Sequence, residues 1–402
     1  MNNKLYKILA FAAAGALACS GLIACASDSD PLIPMNELSG KRLVGNNVKW
    51  LGRTEYDAET QTVDCSYTAT GFEVRFIGTR LDVTFTATNT DSAYNRPYFY
   101  VSVDGSGDTQ IEDSNENYYK VYPLTESVQT VTVVDGLDEN KVHTVMVLKA
   151  SEPENSRTSV KSILTDGDFI KPKKSSAPKF QILGGSGISG HGCLGKEGES
   201  WTTENSSSMY GFGYLAARMF GGECEFVSNS GMGIKWGYRG VASLIDAYEA
   251  TGLTAEYNAD GSTKSVAPTD SKWDHESSSP DVVIINIGGN DWNSHISLLD
   301  EGSAERKTAE NEFCTAVKTL LDRIHGLHPA ADIAWTCNSK TTGNGALAKS
   351  VIDELSYRSQ IVVIEIDNAK DGADNHAGLE TQRKNAETVA TEISAAFGLE
   401  MK

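Results

Sequence analysis

Apolar and polar residues alternate through the first half of the chain and then stop alternating. Phe72-Glu73-Val74-Arg75-Phe76-Ile77 alternates apolar and polar up to Phe76, Leu81-Asp82-Val83-Thr84-Phe85 does so throughout, and the run from Tyr98 to Gly105 does so from Val101. Shorter apolar runs cover Val128 to Val134 and Val142 to Leu148. A period of two places one side of a strand in a core and the other in water. Gly, Asn and Asp clusters between the runs supply turns, so residues 41–172 predict an antiparallel β-sandwich. Lys171 to Ala177 reads as a linker. From residue 178 the pattern becomes strand-length apolar runs alternating with helical stretches. The strands are expected at Lys179–Leu183, Cys224–Ser228, Asp281–Ile287, Asp332–Thr336 and Ile361–Ile366. Helices are expected near 208–220, 240–250, 304–326, 345–358 and 378–397. Val282-Val283-Ile284-Ile285 is apolar on both faces, as a central parallel strand must be. Residues 178–402 therefore predict a doubly wound α/β/α parallel sheet, with residues 253–280 as a polar surface insertion.

The length and charge narrow the partners. A chain of 402 residues exceeds one typical domain, and its formal charge of −19 argues against nucleic acid. Lys4 and Lys7 precede an apolar stretch from Ile8 to Ala18, the pattern of an export leader. Leu22-Ile23-Ala24-Cys25 resembles a bacterial lipobox, which would make Cys25 the lipidated N-terminus of an exported, cell-envelope protein. Residues 26–40, rich in Asp, Ser and Pro, then read as a tether, and the lipid would be the only contact with a membrane. Cys65, Cys193, Cys224, Cys314 and Cys337 form no C-x-x-C pair, so no zinc cluster is indicated.

Three loops at strand ends carry the candidate chemistry. Phe180-Gln181-Ile182-Leu183 runs into Gly184-Gly185-Ser186-Gly187-Ile188-Ser189-Gly190-His191-Gly192. A strand that ends in a glycine-dense turn around one serine exposes a hydroxyl. Gly185, Gly187 and Gly190 also match G-x-G-x-x-G. No helix opens after His191 and no acid closes a second strand at the required distance, so a dinucleotide site is not expected. Asn290, in Gly288-Gly289-Asn290-Asp291, can donate an amide hydrogen to a developing oxyanion. His376, in Asp371-Gly372-Ala373-Asp374-Asn375-His376, can take a serine proton. Trp236 and Trp292 flank these blocks and suit a wall against a sugar or acyl group. His191, beside the serine loop, could line the cleft, but a bystander is the favoured reading.

Ser, Gly, Asn and His in this order resemble the SGNH, or GDSL-like, hydrolases over about residues 178–402. The blocks are Gly184-Gly185-Ser186, Ser230-Gly231-Met232-Gly233-Ile234, Gly288-Gly289-Asn290-Asp291 and the segment ending in His376. The whole chain resembles carbohydrate esterase family 2, in which a β-sandwich precedes such a domain. Gly52-Arg53, Phe76-Ile77-Gly78-Thr79, Val103-Asp104-Gly105 and the strand His143 to Lys149 with Glu152 carry the N-terminal part of that likeness. The resemblance implies a jelly roll followed by a flavodoxin-like domain. It also implies a metal-free and cofactor-free removal of acetyl groups from xylan, glucomannan or derived oligosaccharides. Ser186 would be the nucleophile and His376 the base. The N–H groups of Ser186 and Gly231, with Asn290, would form the oxyanion hole. Two positions depart from the pattern. Gly185 stands where an acid usually precedes the serine, and Ala373 stands three before the histidine. Asp374 becomes the expected orienter of His376, with Asp371 a weaker one; the resemblance also allows a Ser–His dyad in which a backbone carbonyl orients the imidazole. A surface carbohydrate-binding lipoprotein with a decayed site, or an esterase for another acyl group, are the alternative expectations.

Overall fold

The computed structural model describes residues 31–105, 120–258 and 261–402. The expected leader and the lipidation at Cys25 lie outside the described residues. The first domain is built from two antiparallel sheets. One is seven-stranded and centres on Gly71–Ile77, Val142–Lys149 and Tyr98–Val103. The other is six-stranded and centres on Leu81–Ala87 and Thr158–Thr165. Leu81–Ala87 is buried at every second residue, which is how a strand covers a core with one face only. Phe72, Val74 and Phe76 from one sheet and Val83, Phe85 and Ile163 from the other share that core. The tether expected over residues 26–40 is corrected within its described part. Leu32–Ile33 pairs with Asp168–Ile170, and Glu37–Ser39 pairs with Thr158–Thr165. Ile33 and Leu38 are apolar residues in a polar stretch, and burial in this core draws them in.

The second domain holds a five-stranded parallel sheet. Numbered within this domain, its strands are β1 (Lys179–Gly184), β2 (Glu223–Ser228), β3 (Val282–Asn286), β4 (Asp332–Cys337) and β5 (Ile361–Glu365), in the order β2-β1-β3-β4-β5. Its helices are α1 (Ser186–Ser189), α2 (Phe212–Met219), α3 (Leu244–Ala247), α4 (Gly289–Ser294), α5 (Ala304–Leu327), α6 (Gly343–Asp353) and α7 (Leu379–Phe397). The α2 helix packs on α7, while α5 packs on α6 and α3. Both faces of the sheet are thereby covered, and β3 is buried along its apolar length. Residues 253–280 hold a hairpin, Leu253–Tyr257 with Thr263–Pro268. The order reverses between β1 and β3, so the loops after these strands diverge and leave a crevice at the carboxyl edge of the sheet.

The domains are joined by buried polar contacts. Arg53 is fully buried; its Nε donates to Glu225 Oε1 at 3.0 Å and its Nη1 to the carbonyls of Tyr248 and Ala250 at 2.6 and 2.8 Å. Ser66 Oγ donates to the Leu253 carbonyl at 2.9 Å, and Thr68 Oγ1 lies 2.7 Å from Ser208 Oγ. Buried ion pairs of this kind fix a relative orientation, since losing one partner strands a charge in a low dielectric.

Candidate active site

Ser186 is the first residue of the single turn α1, directly after β1. Gly184 closes that strand at φ 156°, and a Cβ there would stand 2.0 Å from the Asn286 carbonyl, so only glycine lets β1 and β3 approach so closely. The glycine block thus folds as a helical turn and not as an open loop. Ser186 remains half-exposed, and its Oγ lies 2.8 Å from His376 Nε2.

His376 comes from the segment between β5 and α7. Its Nδ1 lies 2.8 Å from the Asp374 carbonyl oxygen. A ring nitrogen facing a carbonyl must carry the hydrogen, which leaves Nε2 as the acceptor for the serine proton. Asp374 and Asn375 both adopt left-handed backbone, with φ 51° and 57°, and this reversal turns the carbonyl toward the ring.

The expected orienting carboxylates are corrected. Asp374 orients His376 through its backbone, while its carboxylate Oδ2 accepts from His191 Nε2 at 3.1 Å. Asp371 instead accepts the Gly378 N–H at 2.7 Å and the Thr381 hydroxyl at 3.0 Å, serving the start of α7. Ala373 explains why no acid stands three before the histidine. It is fully buried, and its methyl would lie 2.7 Å from a Cβ at Gly195, so the position faces the serine loop and has no space for a carboxylate.

Asn290 follows Gly288, whose φ of 97° reverses the chain after β3. Its Nδ2 donates to the Met232 carbonyl at 2.9 Å and would be 3.2 Å from a Cβ at Gly185, which puts the amide against the nucleophile's turn. Asp291 is buried and accepts the N–H groups of Ile234, Lys235 and Trp236 at 2.8, 2.9 and 2.9 Å. Burial raises its pKa, opposed by those three hydrogen bonds. The segment that carries Gly231 is thereby tied to α4.

Ser186, Asn290 and His376 line one cleft of about 320 Å³. Six further asparagines line it as well: Asn286, Asn293, Asn338, Asn344, Asn368 and Asn375. Trp236 and Trp292, the expected wall, are not among its lining residues. Trp236 stacks on His295 with ring centres 4.2 Å apart, and Trp292 lies under the Arg306 guanidinium at 5.1 Å. Each ring has a partner outside the cleft lining.

Sequence reasoning missed His191 and the depth of Glu152. His191 is buried, and its ring lies parallel to Trp201 at 5.0 Å and 4.5 Å from the His376 ring. Burial opposes charge on His191, but Asp374 and Glu152 outweigh it and push its pKa up to about 9. Burial and the neighbouring His191 charge hold His376 below the ordinary histidine value. The donor atoms of His191, Asp374 and His376 lie within 4.8 Å of one another, but each is already hydrogen-bonded within the chain.

Known proteins share this arrangement of domains. Residues 50–172 match the family model Carbohydrate esterase 2 N-terminal. The cellulase/esterase CelE of Acetivibrio thermocellus is 23% identical over 348 residues, covering 83% of this chain and 38% of that protein. An acetylxylan esterase/glucomannan deacetylase of Cellvibrio japonicus is 28% identical over 199 residues, covering 48% of this chain and 49% of that protein. Residues 50–172 thus carry the N-terminal domain of carbohydrate esterase family 2, and the chain as a whole is similar to esterases of that family. It spans less than half the length of these two curated relatives. A family two carbohydrate esterase from Clostridium thermocellum, solved with cellohexaose, has the same fold. Its TM-score is 0.70 at 22% identity, over 88% of this chain and 100% of that one. The likeness to that structure extends over both domains. The contact of the Asp374 carbonyl with His376 and the asparagine lining of the cleft are read from this chain's own geometry.

Proposed function

We propose that this chain is a serine esterase that removes O-acetyl groups from a plant-cell-wall polysaccharide such as xylan or glucomannan. The observation that carries the reading is the 2.8 Å contact between His376 Nε2 and Ser186 Oγ, with the other ring nitrogen held on a carbonyl. A serine hydroxyl needs such a base to act as a nucleophile. Ser186 Oγ attacks the acetyl carbonyl while Nε2 takes its proton. The oxyanion is held by Asn290 Nδ2 and by the N–H groups of Ser186 and Gly231. Collapse expels the sugar oxygen, which receives the proton from His376, and the acetyl group remains on Ser186. Water then gives up a proton to the same nitrogen and releases acetate. A histidine held neutral by burial and by the His191 charge suits the first step, because only the unprotonated ring is a base.

The cleft supports a hydroxyl-rich substrate. Each asparagine offers two donors and one acceptor oxygen, which matches a sugar's hydroxyls. The names of the curated relatives support acetylated xylan and glucomannan as the first substrates to try. Acetate release from a panel of acetylated polysaccharides tests the reading. Release from at least one member, abolished by Ser186→Ala, is expected. Turnover of simple acetyl esters with no acetate from any polysaccharide would remove the substrate assignment and leave the esterase.

Export and anchoring through Cys25 belong to the same proposal, supported by the charged start, the apolar stretch and the lipobox. Mass spectrometry of the mature N-terminus after expression in a bacterium is expected to find a lipid-modified Cys25. An unmodified Cys25, or cleavage elsewhere, defeats the anchor.

A further inference from the structure

A buried charged cluster beside the dyad touches none of the reacting atoms in the chemistry above, and one of its members comes from the other domain. Glu152 lies just beyond the strand Val142–Lys149 and is 3% exposed. One of its oxygens accepts the Ser230 N–H at 2.5 Å and the other accepts the Ser230 hydroxyl at 2.7 Å. With its hydrogen committed to Glu152, Ser230 Oγ can only accept from His191 Nδ1, 3.0 Å away. The other nitrogen of His191 faces the Asp374 carboxylate at 3.1 Å. Both ring nitrogens therefore donate, which is the hydrogen-bonding state of an imidazolium. Its two flanking acids lie in different domains, and Trp201 fixes the plane of the ring.

The chain of contacts ends at the residue whose carbonyl orients His376. Asp374 and Asn375 both sit in the left-handed backbone region that turns the Asp374 carbonyl toward His376. The His191–Asp374 contact holds Asp374 from its side-chain end. The same carboxylate of Glu152 also fixes the N–H of Ser230, one residue before Gly231.

We propose that Glu152, reaching from the first domain, acts through Ser230 and His191 on Asp374 as a positioning residue that keeps His376 on Ser186. The inference rests on the Ser186–His376 reading of the site. It gives the first domain a part in hydrolysis that binding a glycan would not require. The charged groups that face His376 are His191, Asp374 and Glu152, with Lys370 in the same cleft. Those that face His191 are Asp374, Glu152, Glu154 and His376. Glu154 itself is pushed up to about 8 by burial and by Glu152, so it offers the weaker counter-charge near neutrality.

The test measures kcat, KM and the pH profile of kcat/KM on 4-nitrophenyl acetate for the full chain carrying Glu152→Gln, His191→Asn or Asp374→Asn. Each variant is expected to lower kcat about 10-fold with KM within about two-fold, the pattern of a misplaced base. His191→Asn is also expected to move the acid limb to higher pH. It removes the cation that depresses His376 and leaves the Asp374 carboxylate unpaired. Glu152→Gln combined with His191→Asn is expected to be no worse than the more damaging single variant, because the two act in series. Asp374→Asn guards against loss of fold: its side chain is 56% exposed, and asparagine accepts left-handed backbone. Wild-type kcat and an unmoved acid limb in these variants, with Ser186→Ala inactive, overturn the relay and spare the dyad. A melting temperature that falls with no change in kcat does the same. Full activity in Ser186→Ala overturns the dyad and the relay with it.

Discussion

Ser186→Ala is expected to lower kcat on an activated acetyl ester by at least about 10³-fold, with KM little changed. The side chain is half-exposed, and its hydroxyl has His376 Nε2 as a partner. Removing it therefore leaves no buried polar atom stranded and should not disturb α1. The expected loss is thus chemical and not structural. His376→Ala should cost about as much, and the double variant no more than either single one, because nucleophile and base act as a unit. Residual turnover in all three would come from the oxyanion donors alone. Circular dichroism and a melting curve close to wild type would accompany the result. A loss of only a few-fold in Ser186→Ala would end the nucleophile assignment, and with it the acetyl-enzyme. It would also revive the alternative in which the site binds glycan without hydrolysing it.

The features that suggested such decay have local explanations. Gly185 and Ala373 differ from the pattern of related hydrolases, and both lie in crowded places. A Cβ at residue 185 would stand 3.1 Å from the Met232 carbonyl and 3.2 Å from Asn290 Nδ2, so a larger residue would press on the hydrogen bond that seats Asn290. Ala373 donates its N–H to the Gly192 carbonyl at 3.0 Å and buries its methyl against the loop. What an acid would supply to the imidazole is supplied here by a carbonyl, which binds Nδ1–H without adding a charge beside the base.

The legibility of this protein follows the range of its interactions. Val282-Val283-Ile284-Ile285 announced a central strand because burial on both faces is written in consecutive residues. Leu81–Ala87 announced a half-buried one by alternation. Ser186, Asn290 and His376 were readable because each follows a strand of one parallel sheet, and the carboxyl ends of such strands meet at one edge. Glu152 was legible as part of the family likeness but not as a buried group, because its partner Ser230 is 78 residues further on and in the other domain. His191 looked like a bystander because its two partners come from different parts of the chain. Trp236 and Trp292 misled for the converse reason. Standing next to Gly231 or Asn290 in sequence does not settle whether a ring lines the cleft: Trp236 stacks on His295 and Trp292 lies under Arg306. Ile33 and Leu38 were lost in a polar stretch too short for a period to show.

Asn290→Ala is expected to reduce kcat by about 10²–10³-fold, the range found when a single side-chain donor is removed from an oxyanion hole. An amide nitrogen carries two hydrogens, and the Met232 carbonyl takes one at 2.9 Å, which leaves one for the substrate oxygen. That bond also holds the amide in place before substrate arrives, so no reorganisation is needed as charge develops. The structural part of the loss should be small, about 1 kcal/mol for one hydrogen bond. The kinetic part is larger because the donor acts on a full negative charge in the transition state and on a weak dipole in the ground state. KM should therefore stay nearly constant while kcat falls. Asn290→Asp sharpens the test: it keeps the shape, removes the donor and sets a carboxylate where the oxyanion forms, so it should be worse than alanine. Alanine and aspartate variants that both turn over within a few-fold of wild type would show that the backbone N–H groups suffice. Neighbouring Asp291 makes that outcome hard to reconcile with the geometry. Its carboxylate gathers three N–H groups of the segment after Gly231 and ties that segment to the helix that presents Asn290, which holds the amide's helix in place against the Met232 carbonyl.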